Sequence, residues 1–139
     1  MNPEVISAIK RRVEEEGYVR KMGMTLVELS EGHAVVEMVP GEDDTNIFGI
    51  VHGGAIFSLM DEAFQASCNS SGRVAVALNV SVVFHRPAYP GKKLRAESRE
   101  IHRSNKTGAY EIRVTDENYS LIASCQALAY RKKEELPFV

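Results

Sequence analysis

Between Gly53 and Ser70 the chain carries Ile56, Leu59, Met60, Ala63, Phe64 and Ala66 with few polar breaks, which predicts a helix apolar around most of its girth. Such a helix cannot lie on a protein surface and must be wrapped on several sides. In a chain of 139 residues, 44% of them hydrophobic, a second full-sized domain does not fit, so the rest of the same domain has to do the wrapping.

The flanking segments have the right character for that task. Asn2-Pro3 followed by Val5, Ile6, Ile9 and Val13 at helical spacing predicts an N-terminal helix over 1–17, closed by Gly17. Thr25 to Val39 is rich in Val and Leu, with Ser30-Glu31-Gly32 as turn chemistry, and reads as a hairpin; Pro40 to Gly49 reads as a polar loop. Four strand-like runs follow the helix: Val74 to Phe84, Leu94 to His102, Ala109 to Thr115 and Leu121 to Tyr130. Their short connections predict antiparallel neighbours, and the basic end of the chain, with 132–139, is expected to be a frayed tail. The expected fold is α+β: one domain over 1–139, a long central helix wrapped by a curved antiparallel sheet. An open curved sheet leaves edges to cover, and pairing with a second copy is an ordinary solution.

Composition narrows the function. A net charge of -2 removes the overall basic excess of a dedicated nucleic-acid binder. The opening MNPEVISAIKRR lacks the basic-then-apolar order of a secretory signal, and the apolar run from Val51 is stopped by Asp61 far short of a membrane span, so a cytoplasmic protein without a membrane partner is expected. Cys68 and Cys125 lack redox or zinc spacing and read as buried thiols; His33, His85 and His102 make no close pair with other ligand residues, so no metal is expected.

The segment Asn46-Ile47-Phe48-Gly49-Ile50-Val51-His52-Gly53-Gly54, running on to Asp61, carries the chemistry. Two glycines at the helix start present unpaired backbone N–H groups and the positive end of the helix dipole, a ready place for a developing oxyanion. Alone, the pair of glycines would more simply serve a tight turn or close packing. Asp61 lies on a largely apolar helix, where a carboxylate needs solvent, a partner or a task; Ser58, Glu62, Gln65 and Asn69 on roughly the same side offer a solvated stripe as the plainer explanation. At ~1.5 Å rise per residue, Asp61 is ~12 Å along the axis from Gly53, too far to act on a carbonyl held at its own helix N-terminus. If both serve one reaction they come from different subunits, as two antiparallel helices about a two-fold axis would allow.

Asn46, His52-Gly53-Gly54, Phe57-Ser58-Leu59 and Asp61, continued by Ala66 to Ser70, by Phe84 to Pro87 and by His102-Arg103 with Lys106, Thr107-Gly108, Tyr110 and Ile112, resemble the hotdog-fold thioesterases of the phenylacetic-acid-degradation type. The resemblance implies metal-free hydrolysis of an acyl-coenzyme A thioester, with coenzyme A as part of the substrate and no separate cofactor. It also implies a homodimer as catalytic unit and a homotetramer as dimer of dimers. By the same analogy Asp61 is nucleophile or, through water, general base; Gly54, with or without Gly53, donates N–H to the thioester oxygen; His52 holds the loop or polarises that oxygen; Asn46 positions the water or the carboxylate. Arylacetyl or other modest acyl groups are the family's suggestion.

Charge is uneven along the chain. Residues 1–84 hold 6 basic and 12 acidic side chains, residues 85–139 hold 11 basic and 7 acidic. Between Arg86 and Lys106 the basic side chains suit the phosphates of coenzyme A, with Arg86 and the turn Ser104, Asn105, Lys106 and Thr107 as the expected contacts; equally, strand faces use such residues against aggregation. Phe48, Phe57 and Phe64 could line an acyl pocket or simply belong to the core. Rival readings are a non-catalytic acyl-CoA-binding module or regulator on the same fold, a hotdog dehydratase, which His52-Gly53-Gly54 fits poorly, and, weakest, a nucleic-acid module resting on the basic C-terminal part.

Overall fold

Asn2 opens the first helix by accepting the Glu4 N–H at 2.9 Å on its side chain, with Pro3 in the first turn, where no amide hydrogen is missed. The computed structural model describes residues 2–139. Helix α1 (Pro3–Glu15) buries Val5, Ile6, Ile9 and Val13 and ends two residues short of the 1–17 that its sequence pattern predicts. Glu16 turns extended, Gly17 begins a second short helix α2 (Gly17–Met22) instead of closing the first, and Gly23 at φ 68° caps it.

The hairpin of β1 (Met24–Ser30) and β2 (His33–Met38) follows, turning at Gly32 with φ 77°. A short 3-10 turn (Glu42–Asp44) leads to α3 (Gly53–Asn69), and then come β3 (Arg73–Phe84), β4 (Leu94–Arg103), β5 (Thr107–Thr115) and β6 (Leu121–Glu135). The six strands form one antiparallel sheet in the order β1-β2-β4-β5-β6-β3, with α3 packed across it: the α+β hotdog arrangement.

Two sequence expectations are corrected. The short link from β3 to β4 predicts a pair, yet β3 pairs with β6 and β4 with β2. The link does not turn back as a hairpin because it is tied elsewhere. Val51 N–H donates to Ala88 O and Gly91 N–H to Pro40 O, so the chain runs past the start of α3 toward the middle of the sheet. The expected frayed tail is also absent: β6 reaches Glu135 opposite Arg73, and Leu136 is buried. Pairing with the long β3 gives those residues a ladder to join.

The α3 side chains Leu59, Met60, Ala63 and Phe64 are buried within the core that also holds Val36, Leu94, Ile112 and Val114, and Phe64 meets Tyr110 edge-on at 5.5 Å. Phe64 is therefore core rather than pocket. Buried serines fix the helix against the sheet: Ser67 Oγ meets Ser98 Oγ at 2.7 Å, and Ser70 Oγ accepts the Gly32 N–H at 2.7 Å. Cys68 and Cys125 are buried free thiols.

Candidate active site

Helix α3 begins at a loop whose shape is set by its own polar groups. Asn46 Oδ1 accepts the N–H of Phe48 at 2.9 Å and of Ile50 at 3.4 Å, and the Asn46 N–H donates to Ile50 O, folding the loop into a tight turn. Asn46 thus holds the loop within its own chain, and Ile47 and Phe48 are left projecting, 92% and 78% exposed. His52 is the N-cap of α3, its Nδ1 accepting the Gly54 N–H at 2.8 Å.

That cap decides which donors are open. The Gly54 N–H is engaged by His52, whereas among the described residues the Gly53 N–H has no acceptor. Both glycines are also closely approached by side chains. A Cβ on Gly53 would come within 3.3 Å of the Phe84 ring, and one on Gly54 within 3.0 Å of His52 Nδ1, pressing on the cap. A cleft of about 500 Å³ reaches this point, lined by Asn46, Gly53, Phe84 and Arg86 among others.

Asp61 stands two turns further along, on an exposed stripe of α3 with Phe57 and Gln65. Partial burial first, and then the negative charge of Glu16, hold its carboxyl above the ordinary value of 3.8. Glu62 is not part of the solvated stripe that the sequence offers. It is 5% exposed, accepts from Gln65 Nε2 at 3.2 Å and hydrogen-bonds Glu16, and burial pushes its pKa up to about 8. Glu62 therefore carries a proton at neutral pH, and Gln65 bridges the two side chains by donating to Glu16 at 3.0 Å as well. Burial likewise raises the Cys68 thiol to about 12 and Cys125 to about 11, which removes both as thiolate nucleophiles.

Sequence reasoning placed Gln65 on Asp61's side of the helix but missed Glu16 and Tyr18 as neighbours of this region. Tyr18 Oη meets Ser58 Oγ at 2.7 Å, and Ser58 Oγ donates to Gly54 O at 2.8 Å. Glu16 and Tyr18 both come from the 16–22 stretch, which no local motif ties to α3. Their only signal was the break at Glu16-Gly17.

The basic segment resolves into two groups. Lys93, Arg95, Arg99 and Arg103 pair with Glu37, Glu28, Glu97 and Glu31 on the sheet, so the charge asymmetry along the chain largely cancels in space. Among the described residues Arg86, Lys92 and Lys106 have no such partner. The turn of Ser104, Asn105, Lys106 and Thr107 is held by Arg73, which donates to Asn105 O at 2.9 Å, and by Arg131, which donates to Ser104 O at 2.6 Å. Arg86 follows the end of β3 and Arg73 begins it, so at ~3.3 Å per residue the two expected coenzyme contacts lie roughly 35 Å apart in one chain.

The sequence model of the thioesterase superfamily matches residues 48–123. A protein of Archaeoglobus fulgidus is 41% identical over 112 residues, covering 81% of this chain and 73% of that one. The acyl-coenzyme A thioesterase PaaI of Escherichia coli K12 is 32% identical over 118 residues, covering 85% of this chain and 84% of its own. The solved structure of E. coli PaaI superposes with a TM-score of 0.91 at 29% identity, covering 94% of this chain and 95% of the other. The chain belongs to the thioesterase superfamily.

Proposed function

We propose that two copies of this chain form an acyl-CoA thioesterase with two shared sites, each built from Asp61 of one protomer and the Gly53–Gly54 helix start of its partner. One observation carries this reading. Within a chain Asp61 is too far from Gly53, and Arg86 is too far from the Ser104–Thr107 turn, yet a single two-fold pairing of β3 edges answers both separations. Antiparallel pairing would set each protomer's Arg86 end against the other's Arg73 end, and run the two α3 helices antiparallel beside it. β3 is suited to this: it is an edge strand, and Val76, Leu78, Val83 and Phe84 along it are 44%, 58%, 54% and 52% exposed. The site needs its second copy to exist.

In such a site the thioester oxygen is held by the open Gly53 N–H at the positive end of α3, joined by Gly54 when His52 yields it. Asp61, with a pKa raised toward working pH, is a better base than an ordinary aspartate. It takes a proton from water as the water oxygen bonds to the carbonyl carbon. The C–S bond then breaks, the oxyanion collapses to the free acid, and the proton goes to the departing thiolate of coenzyme A. Coenzyme A enters as part of the substrate, its phosphates meeting Arg86 and Lys106 from opposite protomers. The activity in the name of the E. coli relative supports the same reaction.

The rival is a module that binds acyl-CoA without cleaving it. Thiol release from a panel of acyl-CoA substrates, measured for the wild type and Asp61→Asn, separates them. Release that stops in the variant supports hydrolysis, whereas binding without release in the wild type supports the module.

A further inference from the structure

On the far side of Asp61 from the glycines the chain holds a second and larger hollow. It measures about 690 Å³, within the range of small-molecule sites, and lies between α1, the second half of α3, the start of β3 and the C-terminal residues. Its walls are mainly apolar, with Ile9 and Val13 from α1, Ala66 from α3, Val74 from β3, and Phe138 from the chain end. Its rim facing Asp61 is Gln65, one helical turn beyond that carboxylate, and Glu16, whose charge Asp61 feels.

We propose that this hollow receives the acyl group of the thioester, and that the N-terminal helix and the C-terminal segment together set which acyl groups are accepted. This rests on the thioesterase reading above. In the proposed pair, the cleft at one protomer's Gly53 and Arg86 comes beside the other protomer's Asp61 and the hollow beyond it. A thioester carbonyl held between them has the coenzyme leading away along the first and the acyl group along the second.

The chemistry of the hollow selects within acyl groups. Apolar walls reward a neutral aryl or medium-length acyl group by removing its surface from water. The carboxyls of Glu16, on the rim, and Asp61, beside it, face the entrance, so an acyl group ending in its own carboxylate meets like charge where water is partly excluded. Arg12 does not offset this, being 3.9 Å from Glu15 and stacked over the Phe138 ring at 5.5 Å. The site therefore discriminates against dicarboxylic monothioesters.

The test is kcat/KM for phenylacetyl-, octanoyl-, acetyl- and glutaryl-CoA with the wild type, Val13→Phe, which fills the hollow, and Phe138→Ala, which removes an outer wall. The wild type is expected to favour phenylacetyl or octanoyl over acetyl and glutaryl. Each variant is expected to lower the octanoyl-to-acetyl ratio about tenfold or more. Circular dichroism checks folding, and Phe138→Ala, at the chain end, serves if Val13→Phe does not fold. Ratios unmoved in a folded variant, or a wild type that prefers glutaryl, overturn the assignment while leaving hydrolysis standing. No thiol release from any of the four substrates overturns the thioesterase reading itself, and this pocket with it.

Discussion

The two halves of α3 are prepared for opposite charges. Its first turns carry two glycines, an unpartnered Gly53 N–H and no acidic side chain, so they present partial positive charge to whatever approaches. Its second half carries Asp61 and Glu62 on consecutive positions, with Glu16 brought against them from outside the helix, so negative charge there is crowded until one carboxyl holds a proton. One end is built to receive an electron pair and the other to give one. On a straight helix they cannot serve each other, and in the proposed pair the β3 edge would let a second helix supply what each end lacks.

The largest effect should come from removing the donor end. Asp61→Asn is expected to lower kcat by about 10²- to 10⁴-fold, the usual worth of a positioned base, with the fold intact by circular dichroism. Gly53→Val, whose side chain crowds the Phe84 ring and shields the residue 53 N–H from the thioester oxygen, should lower kcat by a comparable or smaller factor. Mixed after co-refolding, these two inactive chains should regain about a quarter of wild-type activity, because half the dimers are mixed and each holds one intact site. Absence of recovery in verified mixed dimers would place acid and donor in the same chain.

Next in size is separation of the two helices without touching either. Leu78→Lys on β3 should convert dimers to monomers in sedimentation and lose activity in proportion, since a charge on that edge blocks strand pairing. Val27→Lys on β1, the opposite edge, should change neither. Equal behaviour of the two variants would remove β3 from the interface.

Much of this was readable in the sequence because it is local. The apolar girth of α3, the hairpin at Gly32, the four later strands and the glycine-to-aspartate spacing all come from neighbours within a few residues. What was unreadable depended on where distant segments meet. The β3–β4 link looks like a hairpin loop until Ala88 and Gly91 are seen tied to the approach of α3. Glu62 looks like part of a solvated stripe until Glu16, far away in the chain, is seen to cover it. Arg131-Lys132-Lys133 looks like a loose end until β3 proves long enough to pair with it. The site residues follow the same division. His52, the glycines, Asp61 and Gln65 lie along one local segment, whereas Glu16 and Tyr18 reach them only through packing.

The carboxyl crowd gives a smaller, pH-dependent effect. Glu62 has a folded pKa of about 8 against an ordinary 4.5, so in that window the folded chain binds more protons than the unfolded one. Stability from this group is complete below about 4.5 and is lost as pH rises through about 8. Thermal melts of the wild type should therefore fall between pH 5 and pH 8, and those of Glu62→Gln should fall less. Glu16→Gln should also move the acid limb of the kcat profile downward, since it removes one of the two causes that raise Asp61.

The smallest effect tests the receiving end of α3. His52→Ala removes the cap on the Gly54 N–H and should cost about 1 kcal/mol of stability, the usual worth of a helix cap. Its effect on rate separates two roles for the ring. If His52 only caps, the freed Gly54 N–H can join Gly53 in meeting the oxyanion, and kcat should stay within a few-fold of the wild type. If the ring itself polarises the thioester oxygen, the loss approaches that of an oxyanion donor, about 10²-fold or more. The short bond from the Gly54 N–H to Nδ1 favours the first outcome, because an Nδ1 already accepting that hydrogen cannot also donate one, leaving only Nε2 to face a substrate. His52→Asn supplies a side-chain oxygen in place of the ring and so restores the cap but not an imidazole. Recovery of stability together with rate would assign His52 to the loop, and recovery of stability alone would assign it to the chemistry.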